Sequence, residues 1–376
     1  MGNKRVLKGK YREIITEYLR TVEMERTPIF RYDHPWDEMI ASIHRVYSGF
    51  MSRMDVVRSV LNVFNEFERE FERSDGTYTV EPEVGRQLVE DRLVDYFAQF
   101  PKDYRLVLHF PDLGVDLPDC DIDIADGVNL ALTGREGVLY IAVQGYSEPG
   151  VETMAQQEAF SRANRVMFCM MVTCGGYYDD QHSFAGIFWD HTEEGASFSL
   201  KVPPLLEGRI AGLRLRCYRP ALPEYQSFLL YDPFVDLLRT IFADVGKALS
   251  VLEEKGQENL AAAVDWYEDA HVAQNESVRF IQYCIGLEAL LGDPTEIIGN
   301  ARLADRIAFL LSGKPSGRAG FITQFGEIMD VRNKLVHGKR ARLSEDNRRV
   351  LALAEKFLRL AIIREVELIS GLQWKK

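Results

Sequence analysis

The sequence predicts an α+β domain at residues 1–224, followed by an all-helical bundle at residues 225–376. Between Tyr104 and Tyr218, apolar residues mostly alternate with polar ones, which is the pattern of half-buried β-strands. Beyond this region they recur every three or four residues, which is the pattern of amphipathic helices. The stretch Arg219–Glu224 separates the two patterns, and its two prolines favour a boundary between domains.

The composition is that of an ordinary globular protein. Of its 376 residues, 46% are hydrophobic and 27% are charged, which is sufficient for a full core. The net charge of -12 argues against a surface coated for nonspecific binding of nucleic acid. The five cysteines lack the paired spacing of a zinc site and are expected to be reduced core thiols. No apolar stretch approaches the roughly 18 residues of a membrane span, so we expect a cytoplasmic protein with no membrane partner.

The residues before Pro101 are expected to be helical. Apolar residues recur at helical spacing from Tyr11 onwards, one helix is expected to stop at Ser74–Gly76, and another covers Glu83–Phe100. Pro101 ends this last helix, because the residue before a proline resists the helical conformation.

The alternating region is expected to form strands on both sides of one helix at residues 151–172. The strands are predicted at residues 104–110, 119–124, 128–132, 138–144, 185–190, 196–202 and 209–218. The second strand places Asp119, Asp121 and Asp123 on one face, where aligned carboxylates can hold a divalent metal. Because no further acidic cluster accompanies them, we prefer a solvated acidic face and predict no metal site.

The C-terminal region is expected to be purely helical. Its helices are predicted at residues 231–254, 257–270, 274–291, 299–312, 318–337 and 345–371. In the last of them, an apolar stripe predicts the side that packs on the bundle, formed by Val350, Leu353, Ala354, Phe357, Ala361 and Leu368.

The end of the helix at residues 318–337 carries residues suited to phosphate chemistry. Arg332 offers a charged planar fork that matches a phosphate, and His337 can transfer protons in both directions near neutral pH. On a straight helix, a step of five residues turns the chain by about 500°, so the two side chains would point roughly 140° apart. Gly338 favours the left-handed conformation that ends helices, so we expect His337 in a frayed last turn, where it can approach Arg332.

The same region is locally basic. Seven Lys or Arg residues stand against three Asp or Glu residues between Ile328 and Arg349. Lys339, Arg340 and Arg342 directly follow the glycine and are the candidate RNA-binding residues. The alternative is a solvated helix end, whose cations favour the negative pole of the helix dipole.

Three ordered blocks, Phe280–Leu291, Leu303–Leu311 and Val331–Gly338, give the chain a resemblance to a known family. From about Trp266 to Ile369 it resembles the HEPN superfamily and, within it, the branch named after the anti-phage protein ApeA. The resemblance implies an all-helical HEPN-like domain that pairs with a second copy. In catalytic members, it implies an endoribonuclease that needs no metal or cofactor and is built from an Arg-x4-6-His motif.

Combined with this resemblance, the residue types suggest roles in RNA cleavage. His337 is the candidate base for the 2′-hydroxyl, Arg332 the candidate phosphate clamp, and Asn333 would orient one of them. Glu288 and Lys334 are the supporting residues. Glu288 is a charge within an apolar helical stretch, so it either holds Arg332 or Arg306 in position or lies exposed on the polar side. One histidine cannot easily serve both sides of an in-line displacement, and the resemblance implies how the second is supplied: a homodimer in which two motifs share one cleft.

Two other interpretations remain open. The helical domain could bind RNA or a nucleotide without cutting it, while the N-terminal domain senses a phage-derived or small-molecule trigger or binds a partner. Alternatively, Arg332 and His337 simply cap the helix end and pair with Asp330 or Glu327.

Overall fold

The fold was analysed in a computed structural model. The structure describes residues 13, 15–20, 34–73, 77–148, 151–178, 186–191, 196–199, 207, 210–216, 231–292, 299–338 and 342–374. The predicted helix stop at Ser74–Gly76 and the predicted boundary at Arg219–Glu224 lie outside these residues.

In the described part of the chain before the sheet, residues 15–20 are helical and three longer helices follow, as the apolar periodicity predicts: α1 (His34–Tyr47), α2 (Arg53–Phe71) and α3 (Pro82–Phe97). A capping box begins α2, because the Ser52 hydroxyl accepts from the Asp55 amide and the Asp55 carboxylate accepts from the Ser52 amide. Pro82 stands in the first turn of α3, where its missing amide hydrogen costs nothing. The buried faces of these helices form a core around Trp36, Phe64 and Phe97.

Four strands follow: β1 (Lys102–Phe110), β2 (Leu117–Ala125), β3 (Val128–Gly134) and β4 (Glu136–Gly145). With β6 (Gly186–His191) and β7 (Ala196–Ser199), they form a sheet of order β2-β3-β4-β1-β6-β7. β3 pairs antiparallel with both β2 and β4, and Leu130 lies opposite Ile122 on one side and Leu139 on the other. These positions agree with the strands predicted from the alternating pattern.

The acidic strand is β2, and its two faces differ as the sequence indicates. Asp119, Asp121 and Asp123 are exposed, whereas Ile122 and Ile124 are buried. Within the described residues, no group of three or more His, Cys, Asp or Glu side chains is placed to hold a metal ion. The alternation of exposed aspartates with buried isoleucines confirms the interpretation of β2 as an amphipathic strand with a solvated acidic face.

The predicted strand at residues 209–218 is wrong in most of its described part. Residues 210–212 are helical, and the only strand segment there is β8 (Leu213–Arg214), which pairs with β5 (Tyr177–Tyr178). The buried guanidinium of Arg214 turns back to the carbonyl oxygens of Ala211 and Leu213, at 2.7 Å and 3.1 Å. These local hydrogen bonds hold a compact turn where alternation alone predicts an extended chain.

The predicted helices appear within three residues of their expected ends. They are α4 (Met154–Thr173), α5 (Tyr231–Glu253), α6 (Glu258–Val272), α7 (Glu276–Leu291), α8 (Asn300–Leu311), α9 (Arg318–Val336) and α10 (Arg348–Ser370). Asn275 caps α7 by accepting from the amides of Ser277 and Val278, and Gly371 ends α10 in the left-handed conformation. In α10, Val350, Ala354, Phe357 and Ala361 are buried as predicted. Leu368 is 57% exposed, so its predicted burial is wrong.

The backbone divides into two compact units. One consists of Met1–Arg105, Ala142–Ala159 and Trp189–Leu200, and the other of Leu106–Ile141, Phe160–Phe188 and Lys201–Lys376. Within the second unit, the helical bundle is tied to part of α4. The Arg165 guanidinium pairs with Asp265 of α6 at 2.8 Å, and Arg162 pairs with Glu253 of α5 at 2.6 Å. None of the described helices is both long and apolar enough to cross a membrane.

Candidate functional site

The arginine of the Arg-x4-His motif is held by two neighbours in the helical bundle. Near the C-terminal end of α9, Arg332 reaches across to α7, where its Nη2 donates to the Glu288 carboxylate at 3.0 Å. Its Nη1 donates to Asn333 Oδ1 at 3.3 Å. The Arg332 and Glu288 side chains are 26% and 32% exposed, so the pair is partly shielded from water. The guanidinium therefore has a defined orientation at the edge of the bundle.

The structure decides which arginine Glu288 holds. Arg306 on α8 donates instead to the carbonyl oxygen of Leu291, at 2.5 Å, and to that of Gly292, at 3.3 Å. These two carbonyls lie at the end of α7, where the helix leaves acceptors without partners of its own. Of the three alternatives for Glu288, pairing with Arg332 is confirmed, and the exposed position and pairing with Arg306 are wrong.

His337 lies at the end of the same helix and takes no part in the ion pair between Arg332 and Glu288. Its amide donates to the Asn333 carbonyl at 3.0 Å, and Gly338 follows with a φ of 67°, so the predicted left-handed termination is confirmed. The His337 side chain is exposed to solvent. Within the described part of the chain, no hydrogen bond joins its ring to Arg332 or to another residue. The expected contact between the two side chains is therefore not made through a hydrogen bond in the described residues.

Neighbouring carboxylates partner other cations rather than the motif. Lys334 pairs with Asp330, one turn earlier on α9, and Arg349 pairs with Glu327. The interpretation in which Arg332 pairs with Asp330 or Glu327 is therefore wrong.

The basic segment is less positive than its sequence suggests, because several of its cations are neutralised by carboxylates. Arg348 lies 3.5 Å from Glu276, in addition to the pairs made by Lys334 and Arg349. Arg342 is exposed, and the next residue, Leu343, donates its amide to the Ser277 hydroxyl at 2.8 Å. Lys339 and Arg340, two of the three candidate RNA-binding residues, lie outside the described residues.

Cys284 lies one turn before Glu288 on α7, but it is not a nucleophile for this site. It is fully buried, and burial raises the pKa of its thiol well above the usual range. The Glu288 carboxylate raises this pKa further, and the Arg332 guanidinium opposes the shift. The thiol therefore stays protonated and unreactive at neutral pH.

A second polar cluster in the bundle was missed by sequence reasoning, which left His271 without a partner. Nδ1 of His271 lies 3.3 Å from both the Tyr267 carbonyl oxygen and the Tyr283 hydroxyl, and its Nε2 lies 3.9 Å from Glu355. Burial raises the pKa of Glu355, an effect opposed by Arg359 and Arg279. The cluster joins α6, α7 and α10, and only Tyr267 and His271, four residues apart on α6, could be associated from sequence.

Comparisons with protein-family models, with curated proteins and with solved structures found no match to this chain.

Proposed function

We propose that this chain is a metal-independent endoribonuclease of the HEPN type that acts as a homodimer in anti-phage defence. The observation that carries the proposal is the arrangement at the end of α9. Arg332 is oriented by Glu288 and Asn333, and His337 is open to solvent at the terminus of the same helix. An oriented cation and an accessible imidazole at the end of one helix are the minimum set of groups for cleaving RNA through its own 2′-hydroxyl.

In the proposed reaction, RNA supplies the nucleophile. His337 removes the proton from the 2′-hydroxyl, and the resulting oxygen attacks the adjacent phosphorus while the bond to the 5′-oxygen breaks. Arg332 stabilises the charge on the pentacoordinate phosphate. The 5′-oxygen needs a proton from the opposite side, which His337 of a second copy would provide. The products are a 2′,3′-cyclic phosphate and a 5′-hydroxyl.

The proposed role of the N-terminal domain is to sense a phage-derived or small-molecule trigger and to restrain the nuclease until the trigger binds. A nuclease that attacks cellular RNA is toxic unless it is restrained. Conformational control of this kind requires two states with different affinities for the trigger. The proposal places the protein in the cytoplasm, where its RNA substrate is found.

A non-catalytic module that binds RNA or a nucleotide is the second candidate. The observation in its favour is that His337 makes no described hydrogen bond to Arg332, while Arg332 is already paired with a carboxylate. Such a module would bind RNA and leave it intact.

Incubation of the purified full-length protein with total RNA in EDTA separates these candidates. We expect fragments ending in 2′,3′-cyclic phosphate from the parent and none from His337→Ala. His44→Ala, which removes a histidine from α1, serves as the matched control and should cleave like the parent. Intact RNA that nevertheless co-purifies with the protein would support the binding module. Fragments with a plain 3′-hydroxyl, formed only when divalent metal is added, would redirect attention to Asp119, Asp121 and Asp123.

A further inference from the structure

A cleft of about 660 Å³ opens where the ends of α7 and α10 meet the hairpin of α8 and α9. Its volume falls within the roughly 300–1,000 Å³ typical of small-molecule sites. The wall is mainly apolar, and three of its large side chains are exposed: Phe309 by 69%, Ile322 by 39% and Leu368 by 57%. Apolar side chains exposed side by side are typical of a binding surface rather than of an inert one.

Arg318, in the first turn of α9, gives this apolar cleft a guanidinium that pairs with no carboxylate among the described residues. Its guanidinium carbon lies 4.8 Å from the centre of the Phe309 ring, and its Nε is buried with no hydrogen-bond acceptor. Within the described residues, its side chain makes no hydrogen bond or ion pair. A buried donor left without an acceptor is costly, so native proteins rarely retain one without a reason.

The other charges in the cleft leave it positive. Arg302, Arg306 and Arg318 line it, against Asp305 and Glu365. An occupant that complements this lining has an apolar body and one negative group. Because the cleft has the size of a small-molecule site, the occupant is a small amphiphile rather than a folded partner.

We propose that this cleft binds a small amphiphilic carboxylate. Its apolar body lies against Ile322 and Leu368, and its carboxylate pairs with the guanidinium of Arg318. A carboxylate matches the planar fork of an arginine, and a partly apolar surrounding strengthens the pair. Arg318 precedes Arg332 by fourteen residues on α9, which is about 21 Å along the helix axis. The inference is therefore independent of RNA cleavage.

Calorimetric titration of the full-length protein with octanoate tests this assignment. Octan-1-ol, which has the chain without the charge, and acetate, which has the charge without the chain, are the comparison ligands. We expect octanoate to bind at least about tenfold more tightly than either, since each lacks one of the two interactions. Equal affinity for octanoate and octan-1-ol would show that the cleft is only an apolar surface, and this would overturn the proposal. The absence of octanoate binding at millimolar concentration would overturn it as well.

Two variants and two controls locate the binding. Arg318→Gln should weaken octanoate binding by about tenfold or more, the loss expected for one charge-assisted hydrogen bond. Ile322→Ser, at an exposed position that tolerates substitution, should weaken it through the apolar wall. Lys356→Gln, which removes an exposed cation of α10 outside the cleft, should bind octanoate like the parent, and so should His337→Ala. Parent-like affinity for octanoate in both cleft variants would refute the assignment. It would also be refuted if Ile322→Ser dissociated a dimer while octanoate left the dimer of the parent unchanged, because the cleft would then be an interface between two copies.

Discussion

The ion pair between Arg332 and Glu288 makes the most specific prediction, because its contribution can be bounded from its exposure. Fully exposed pairs contribute about 0.2–1 kcal/mol, whereas breaking a buried pair costs about 3–5 kcal/mol. With side chains 26% and 32% exposed and a 3.0 Å contact, this pair lies between the two cases. We expect a coupling free energy of about 1–2 kcal/mol, after allowing for partial solvent screening.

A double-mutant cycle measures this coupling. The free energy of unfolding is determined by urea titration for the parent, Glu288→Gln, Arg332→Gln and the double variant. The pair between Asp330 and Lys334 on α9 is the matched control. Its side chains are 62% and 40% exposed, so its coupling should be about 0.3–0.5 kcal/mol.

The same variants separate positioning from stability. If Glu288 orients Arg332 for catalysis, Glu288→Gln should lower the rate of RNA cleavage by about tenfold while leaving His337 in place, because a loosely held clamp stabilises the transition state less well. Glu288→Asp, which keeps the charge on a shorter side chain, should recover part of that rate. A coupling no larger than that of Asp330 and Lys334, together with parent-like cleavage by Glu288→Gln, would refute the reasoning.

Three further predictions concern the fold and the site. Gly246→Ala should destabilise the second compact unit by about 2 kcal/mol or more in urea titration, because the new Cβ would lie 1.9 Å from the Ile124 carbonyl oxygen of β2. Gly326 is a helical position where an added Cβ would meet nothing within 4 Å, so Gly326→Ala should instead stabilise this unit by up to about 1 kcal/mol. Equal changes in the free energy of unfolding for the two variants would contradict the packing of α5 on β2. Burial raises the pKa of Glu365 and Arg364 partly offsets this, so the contribution of this carboxyl to stability is complete below the unfolded-state pKa and lost as the pH rises through the folded-state pKa. Glu365→Gln should therefore have a higher melting temperature than the parent near neutral pH and the same melting temperature below about pH 4. A difference in melting temperature that grows on acidification would show that folding lowers the pKa of Glu365 instead. His337→Ala should abolish cleavage yet change the free energy of unfolding by less than about 0.5 kcal/mol, because the ring is exposed, and a larger change would point to a structural role.

The elements that the sequence predicts well are those specified by neighbouring residues. The C-terminal helices follow from apolar spacing and from local end signals such as Asn275, Gly338 and Gly371. The pairing of β5 with β8 joins residues more than thirty positions apart, and no local pattern specifies it. Leu368 fits the apolar stripe of α10, yet it is exposed because the helix ends beside an open cleft. Periodicity reveals which face of a helix is apolar, but not whether a neighbour covers all of it.

In the candidate site, too, the sequence predicts local features but not the partners that tertiary contacts select. A carboxylate in an apolar stretch, as at Glu288, indicates that a cation lies nearby, but the sequence does not distinguish Arg306 from Arg332. Tertiary contacts make that choice, because the end of α7 offers free carbonyls to Arg306 and leaves Glu288 to Arg332. The spacing of the motif predicts the direction of a side chain only while the helix is regular. His337 caps the end of α9, so its position depends on the backbone at the helix terminus instead.

The pairing of Arg332 with a carboxylate is compatible with its proposed role as a phosphate clamp. A guanidinium carries five N–H donors, and the described hydrogen bonds use one on Nη2 for Glu288 and one on Nη1 for Asn333. Among the described residues, the remaining donors on Nε and the two Nη atoms have no acceptor, so they can donate to phosphate oxygens. The carboxylate also keeps the planar group in one orientation, so less side-chain freedom is lost when a phosphate binds. Because part of the positive charge is already balanced, the pair should favour the transition state, which carries more negative charge on phosphorus oxygens, over the ground state. On this argument, removing Glu288 should tighten RNA binding while slowing cleavage, a combination that a purely structural ion pair would not produce.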